Sequence, residues 1–429
     1  MSDPRFSIEN FFSYGFRPFF LFAYLFAAFS MTAWLAWLGL HAIKAQVLRP
    51  TIVVPPHEWH AHEMLFGYAL AAIAGFFLTA VPNWTNSKPV SGGALMLLVS
   101  SWLAGRMAIW FSAYLPTLMV AVFDLAFIPM LLAFVAKALL RRWAPRNFIF
   151  IPILSLLFAA NIMTHVEWAG LLDAGPELTN RLAINAVILL VTIIGGRVVP
   201  AFTTNVLRRE SHMLLPTSRK PLEIFSILSM VAVLIVEALG FDGWLAGTVA
   251  IVAALAHAVR LAGWRGLQTL GKPILWVLHL GYAWLVAGLA FKAAAHFDLM
   301  SEATAIHALT IGAVGTITMA VMTRASLGHT GRTLRVSNPI TLAYLLISAS
   351  AVVRIVVPAL LPAYYNEGVV IAGVLWVLAF VIVSVVFWPI LTLPRIISTF
   401  SPATRCVRER EQQPTSKTRS QIASTPRKV

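Results

Sequence analysis

The sequence contains little charge and almost no cysteine. Only 11% of its 429 residues are charged, whereas soluble domains contain about 25% charged residues. Hydrophobic residues make up 59% of the chain. They form long blocks and do not alternate with polar residues, which excludes an outer-membrane barrel. The composition therefore excludes a soluble globule and predicts an all-α, polytopic bundle of transmembrane helices.

The single cysteine, Cys406, lies in a polar C-terminal segment. One thiol can form neither an intrachain disulfide nor a metal site built from several thiolates. A bound metal must therefore use His, Met or carboxylate ligands. A Walker loop, the zinc-protease His-Glu-x-x-His, the c-type haem motif Cys-x-x-Cys-His and the Gly-x-Ser-x-Gly elbow are all absent from the sequence.

Apolar runs bounded by charged residues, Pro and Gly predict twelve membrane spans of about 20 residues each. They lie near 17–40, 60–82, 92–112, 115–137, 147–169, 180–200, 222–240, 243–262, 273–293, 303–323, 339–361 and 368–394. We interpret 17–394 as the transmembrane domain and 1–16 as a short N-terminal segment. The residues 395–429 form a basic tail of a composition typical of disorder.

The basic residues are distributed unevenly between the two sides of this arrangement. Of 32 Lys and Arg residues, 25 fall on the side of the two termini and three on the opposite side. By the positive-inside rule we predict that both termini are cytoplasmic, in an inner membrane. Because the positive charge lies in the loops and the tail, we reject a nucleic-acid partner.

Three of the eleven histidines stand within six residues, at the predicted outer end of the second span. These are His57, His60 and His62, which follow two prolines. On a helix His57 and His60 share one face, and His62 shares another face with Glu58. This end of the span therefore offers imidazoles in two directions. Interfacial hydrogen bonding is the alternative to ligation.

Other polar residues lie at a similar predicted depth. His165 is near the outer end of the fifth span, and His307 begins the tenth. Arg106, Asp124 and Arg354 fall inside spans. Ionisable groups inside a membrane are costly and suggest a function, although a structural Arg–Asp pair or snorkelling is the alternative for Arg106 and Arg354.

The second, sixth and tenth spans share a loose pattern. Each begins near a polar residue, contains glycines and ends in a turn with threonine. A glycine follows five residues after His62 and again after His307, as Gly67 and Gly312. This pattern favours three four-helix repeats.

Several longer strings resemble a known family. They are FFSYGFRPFF (11–20), WHAHEMLFG (59–67), GFFLTAVPNW (75–84), WLAGR (102–106), GRVVPAFT (196–203), HALT (307–310) and MTRASLGHTGR (322–332). Over about residues 10–395 the chain resembles the NnrS family. The resemblance implies a bacterial inner-membrane protein that contains haem and copper and is linked to denitrification and to relief of nitrosative stress. It does not imply a settled reaction or a ligand set.

An analogy places the haem. The main subunits of haem–copper oxidases also have twelve spans, and histidines from spans two and ten hold their low-spin haem. By this analogy we predict a b-type haem between His62, or His60, and His307, with Arg106 beside a propionate. Fold analogy does not by itself carry function.

The analogy does not extend to copper, because the predicted sixth and seventh spans contain no histidine. We therefore predict copper ligands among His57, His60 and His165. The predicted function is to bind or consume nitric oxide at a His-ligated haem, with an electron donor that the sequence does not identify. Whether the protein is a nitric oxide-reacting oxidoreductase stays open. The alternatives are a transporter of a small solute and a haem-binding sensor or assembly factor without turnover.

Overall fold

The structure is a computed structural model that describes residues 7–44, 51–142, 145–172 and 176–396. The described residues form helices and no strand. Twelve helices are long and apolar enough to cross a membrane. The predicted all-α polytopic fold is confirmed, and the protein is a multi-pass membrane protein. The predicted basic tail, with Cys406, lies outside the described residues apart from Arg395 and Ile396.

We number the spanning helices α1 to α12 in chain order. Their bounds are Phe16–Ala42, Pro56–Thr85, Gly92–Trp110, Thr117–Arg141, Pro145–Trp168, Glu177–Arg209, Lys220–Ala238, Gly243–Ala262, Pro273–His296, Glu302–His329, Asn338–Leu360 and Pro362–Thr392. Each corresponds to one predicted span. The largest C-terminal extensions beyond the predicted ends are in α6, which continues to Arg209, and α10, which continues to His329, because polar residues extend these helices beyond their apolar stretches.

Three helices occupy the centre of the bundle. In α2, α6 and α10, 83%, 78% and 72% of the most apolar window is buried, against 56% or less in every other span. The outer helices surround them, and α12 packs against α1. The hydroxyl groups of Tyr68 in α2 and Thr318 in α10 lie 2.5 Å apart. These are the three spans whose shared sequence pattern favours three four-helix repeats, and the repeats themselves stay a prediction.

Two of the central helices contain a π-helical segment. In α2 it is Glu63–Ala69, directly after His62, and in α10 it is Ala308–Gly315, directly after His307. A π segment changes the direction of the side chains beside it, and such segments are frequent at functional sites. Both segments therefore lie next to histidines that the sequence singles out.

Candidate metal and cofactor sites

A buried polar cluster connects α2, α3, α4 and α5 at one end of the bundle. We call it the carboxylate–histidine cluster. Each member is at most 7% exposed. The members are His62, Glu63, Arg106, Asp124, Asn161 and His165.

Local features of α3 and α4 place Asp124 in this cluster. The helix of α4 is irregular at Ala126, because Pro129 has no N–H to donate to the carbonyl of Leu125. On the facing helix, a Cβ on Gly105 would lie 2.9 Å from the Cα of Asp124. The glycine therefore allows α3 and α4 to approach closely at this level.

Asp124 lies at the centre of the cluster. Its Oδ2 is 2.8 Å from His165 Nε2 and 3.2 Å from His62 Nε2. The same oxygen accepts a hydrogen bond from Asn161 Nδ2 at 2.9 Å. Its Oδ1 is paired with the Nη2 of Arg106. One carboxylate therefore joins two imidazoles, an amide and a guanidinium.

Both nitrogens of His62 face oxygen atoms. Its Nδ1 is 3.0 Å from Glu63 Oε1, and its Nε2 is 3.0 Å from Asn161 Oδ1. A neutral imidazole has only one N–H, so its other nitrogen directs a lone pair at an acceptor. Either a second proton or a cation at Nε2 removes this conflict. In metal sites a ligating His commonly donates its other N–H to a carboxylate, as His62 can to Glu63.

The charges of the cluster do not balance when both imidazoles are neutral. The carboxylates of Glu63 and Asp124 face a single guanidinium, that of Arg106, whose Nη1 is 2.5 Å from Glu63 Oε1. A buried charge without compensation is costly, so the cluster favours one more positive charge.

The donor atoms suit a metal ion. Among the described residues, His62, Asp124 and His165 are the group of potential ligands whose donor atoms all lie within 4.8 Å of one another. Two imidazoles and a carboxylate are ligands that copper and zinc accept. The cluster can therefore hold either a metal ion or an extra proton.

Aromatic side chains cover the two imidazoles. The Trp168 ring lies 4.9 Å from the His62 ring and 5.2 Å from the His165 ring. The Phe66 ring lies 4.9 Å from His62. The indole N–H of Trp168 donates to Glu58 Oε2 at 2.7 Å. This cover limits access of water to the cluster and strengthens its electrostatic interactions.

A second pair of histidines lies at the starts of α2 and α10. His60 stacks on Trp34 at 4.9 Å, and its buried Nδ1 has no hydrogen-bond partner among the residues that the structure describes. His307 Nδ1 donates to the carbonyl of Ala303 at 2.6 Å, which leaves its Nε2 with a lone pair. His60 and Arg354 are near enough to His307 to influence it electrostatically. This pair offers two imidazole nitrogens for ligation.

The predicted ligands are divided between these two places. His62, His165 and Arg106 belong to the carboxylate–histidine cluster, whereas His60 lies toward His307. The His57 side chain is 71% exposed. The set predicted for copper is thus not gathered at one point among the described residues.

Sequence reasoning missed Glu63 and Asn161 as partners of the histidines. It treated Asp124 as an intramembrane charge but did not recognise that it contacts both imidazoles. The only available signal was the position of Glu63 directly after His62 and of Asn161 four residues before His165.

A different polar cluster joins α7, α8 and α9 at the other end of the bundle. We call it the arginine–tyrosine cluster, and it consists of Glu223, His257, Arg260 and Tyr282. Arg260 is paired with Glu223, and its Nη1 donates to Tyr282 Oη at 2.7 Å. His257 Nδ1 is also 2.7 Å from Tyr282 Oη. The positive charge of Arg260 and the negative charge of Glu223 therefore balance in this cluster.

A third set of polar groups surrounds Glu237. Its Oε1 is 2.5 Å from Lys292 Nζ and 3.3 Å from His296 Nε2. Asp242, in the connection between α7 and α8, has a pKa below its usual value because His296 and the backbone N–H of Gly243 donate to it. These charges are also paired.

The comparisons with known proteins identify the family. The sequence model of the family described as "NnrS protein" matches residues 10–395, which is most of the chain. No curated protein matches the chain.

Proposed function

The chain belongs to the NnrS family, and on that premise we propose that it is a haem- and copper-binding membrane protein of the nitric oxide response. The observation that carries this proposal is the buried excess of negative charge in the carboxylate–histidine cluster, beside two imidazoles. We place the protein in the bacterial inner membrane with both termini, including the basic tail 395–429, in the cytoplasm.

We assign the copper to His62, Asp124 and His165. Their donor atoms lie close enough to share one ion, and a monovalent cation would balance the charges of Glu63, Asp124 and Arg106. Glu63 would accept the Nδ1–H of His62 and so keep Nε2 free for ligation. The assignment of copper to this cluster thus rests on the His62 imidazole, both of whose nitrogens face oxygen acceptors.

We assign the haem to His60 and His307. The unpartnered Nδ1 of His60 and the free Nε2 of His307 are suitable axial donors. Arg354, which acts electrostatically on both histidines, is a suitable partner for a propionate. Arg106 suits this role less, because it already pairs with Glu63 and Asp124.

The centre of the bundle offers space for a small apolar molecule. A cavity of about 60 Å³ lies between α2, α6 and α10 and is lined by apolar side chains with Thr318 as an exception. Apolar cavities of this kind stay dry and accept small apolar ligands. When bound, haem and copper supply redox-active centres that bind nitric oxide, while the chain binds them, excludes water and admits the gas.

The test is the cofactor content of the detergent-purified protein and of single histidine variants. Copper and iron are measured by mass spectrometry, and haem is followed by oxidised, reduced and nitric oxide-treated optical spectra. We expect His62→Ala and His165→Ala to lose copper and keep haem, and His60→Ala and His307→Ala to lose the haem bands and keep copper. His57→Ala is the matched control, because this side chain is exposed, and it keeps both.

The outcomes separate the alternatives. Folded protein with neither haem nor copper contradicts the proposal and favours a transporter of a small solute. Haem that binds nitric oxide without catalytic loss of the gas in the presence of a reductant favours a sensor. Haem retained in both His60→Ala and His307→Ala shows that the ligand assignment is wrong.

A further inference from the structure

A groove of about 300 Å³ opens beside the carboxyl-terminal ends of α2 and α4 and the start of α3. It lies at the end of these helices that is remote from the carboxylate–histidine cluster. Its size is within the range of about 300–1,000 Å³ that is usual for ligand sites.

The floor and the rim of the groove differ in chemistry. Buried apolar side chains form the floor, among them Phe77, Leu78 and Val135. Three exposed cationic side chains stand at the rim: Lys88, Lys137 and Arg141. The groove has no acidic lining residue among those described. The charged residues of the groove are thus all positive, and they lie next to an apolar surface.

The three cations lack partners in the described part of the chain, where none of them forms an ion pair. The lining also includes Ser91, which precedes α3 and makes no side-chain cap there. The N–H of Gly92 donates to the carbonyl of Phe12, and the other N–H groups in the first turn of a long helix attract anions. Both features make the rim complementary to a negative charge.

The location of the groove limits what the occupant can be. It lies where three spanning helices end, so an occupant must meet an apolar floor and a cationic rim at the edge of the hydrocarbon layer. A phospholipid meets both requirements, because its anionic phosphate is joined to apolar acyl chains. Basic pockets between transmembrane helices bind anionic lipid headgroups.

We propose that the groove is a binding site for an anionic phospholipid, with the phosphate between Lys88, Lys137 and Arg141 and the start of an acyl chain against the apolar floor. The site is separate from the proposed cofactor sites, and it does not depend on them. A free phosphate shares the headgroup chemistry but not the acyl contact, so the two sources can be separated by experiment.

The test uses the full-length protein, delipidated in detergent, with native mass spectrometry and thermal unfolding as readouts. The added ligands are dioleoylphosphatidylglycerol, dioleoylphosphatidylcholine and inorganic phosphate. We expect retained adducts and a raised Tm with phosphatidylglycerol alone. In the triple variant Lys88→Gln, Lys137→Gln, Arg141→Gln, the apparent affinity should fall by on the order of 100-fold, since each basic residue near a membrane surface contributes about tenfold or less.

Two further variants test the mechanism. The triple variant Arg208→Gln, Arg219→Gln, Lys220→Gln removes the same charge from exposed positions outside the groove, and it should bind phosphatidylglycerol like the parent protein. Ala138→Phe keeps every charge but fills part of the groove, and it should weaken binding of phosphatidylglycerol.

Four outcomes would overturn the proposal. Equal losses in the two triple variants would mean general attraction to a basic surface. Equal stabilisation by phosphatidylcholine would mean that the headgroup charge is irrelevant, and equal stabilisation by inorganic phosphate would mean a free-anion site. Unchanged binding in Ala138→Phe would remove the role of the apolar floor. Parent-like elution and Tm of each lipid-free variant exclude misfolding as the cause.

Discussion

The carboxylate–histidine cluster and the arginine–tyrosine cluster both contain arginine, glutamate and histidine and lie at opposite ends of the bundle, but their charges differ. In the first, Arg106 faces two carboxylates that are almost fully buried. In the second, Arg260 faces one, Glu223, whose side chain is 21% exposed. A balanced cluster needs no further ligand, whereas a buried negative excess favours a cation. The comparison teaches that the balance of buried charge, more than the presence of histidine, distinguishes a candidate metal site from a structural network.

The histidines of the two clusters differ in the same way. His62 and His165 both approach one carboxylate oxygen of Asp124. His257 instead pairs through its Nδ1 with the neutral hydroxyl of Tyr282. The carboxylate of Glu63 can accept the Nδ1–H of His62 and so raise the basicity of its Nε2 as a metal ligand, whereas the Tyr282 hydroxyl beside Nδ1 of His257 does this less.

The largest effect is expected from removal of each arginine. Arg106→Met leaves two buried carboxylates without a cation and should lower the free energy of unfolding by about 3–5 kcal/mol. Arg260→Met should cost about 1–3 kcal/mol, because water can reach Glu223. Unfolding in detergent, by heat or denaturant, measures both.

The rescue of the first variant is the control. Adding Glu63→Gln to Arg106→Met removes one of the two stranded charges and should recover part of the lost stability. Equal costs for the two arginine variants, with no rescue, would show that the clusters do not differ in charge balance.

The next largest effect is expected on copper content, when the variants Asp124→Asn and Glu223→Gln are compared. Each change removes one negative charge and preserves shape. Asp124→Asn should lower copper affinity at least 10–100-fold. A loss of about this size is typical when a residue that only hydrogen-bonds to a metal ligand is replaced, and Asp124 is itself a proposed ligand. Glu223→Gln should leave copper content unchanged, as mass spectrometry of the purified proteins can check. If Asp124→Asn retained full copper, the metal would have to be elsewhere.

The sequence predicts the fold well because the membrane imposes a strong pattern. Twelve apolar runs of the required length are visible without knowledge of tertiary contacts. The extensions of α6 to Arg209 and α10 to His329 were not predicted, since polar helix ends give no hydropathy signal. The π segments after His62 and His307 were also not predicted, because the hydrogen-bond register depends on packing.

The candidate site could be predicted only in part. The sequence indicates that His60, His62, His165 and His307 are at a similar depth, because topology fixes the ends of the helices. It does not indicate rotation about each helix axis, which sends His62 toward Asp124 and His60 toward His307. Convergence of α2, α4 and α5 on one carboxylate is a property of tertiary packing.

A smaller effect is expected when a glycine beside each cluster is replaced. A Cβ at position 105 would meet the backbone of Asp124, which cannot move without separating α3 from α4. Gly105→Ala should cost about 1–3 kcal/mol and lower copper retention. Gly196→Ala is the matched change, since its Cβ would meet the guanidinium end of Arg260. That flexible end can move, so the thermal shift should be smaller, and the opposite order would contradict the account of close helix approach.

The smallest effect concerns the aromatic cover of the first cluster. Trp168→Phe keeps a ring over His62 and His165 but removes the N–H that donates to Glu58. We expect a loss of about 1 kcal/mol, no loss of copper, and a cost that does not add to that of Glu58→Met, because both changes remove the same hydrogen bond. Thermal unfolding and metal analysis of the single and double variants measure these quantities. Release of copper by Trp168→Phe would mean that exclusion of water matters as much as charge, and the two clusters would then differ in access to solvent more than in charge balance.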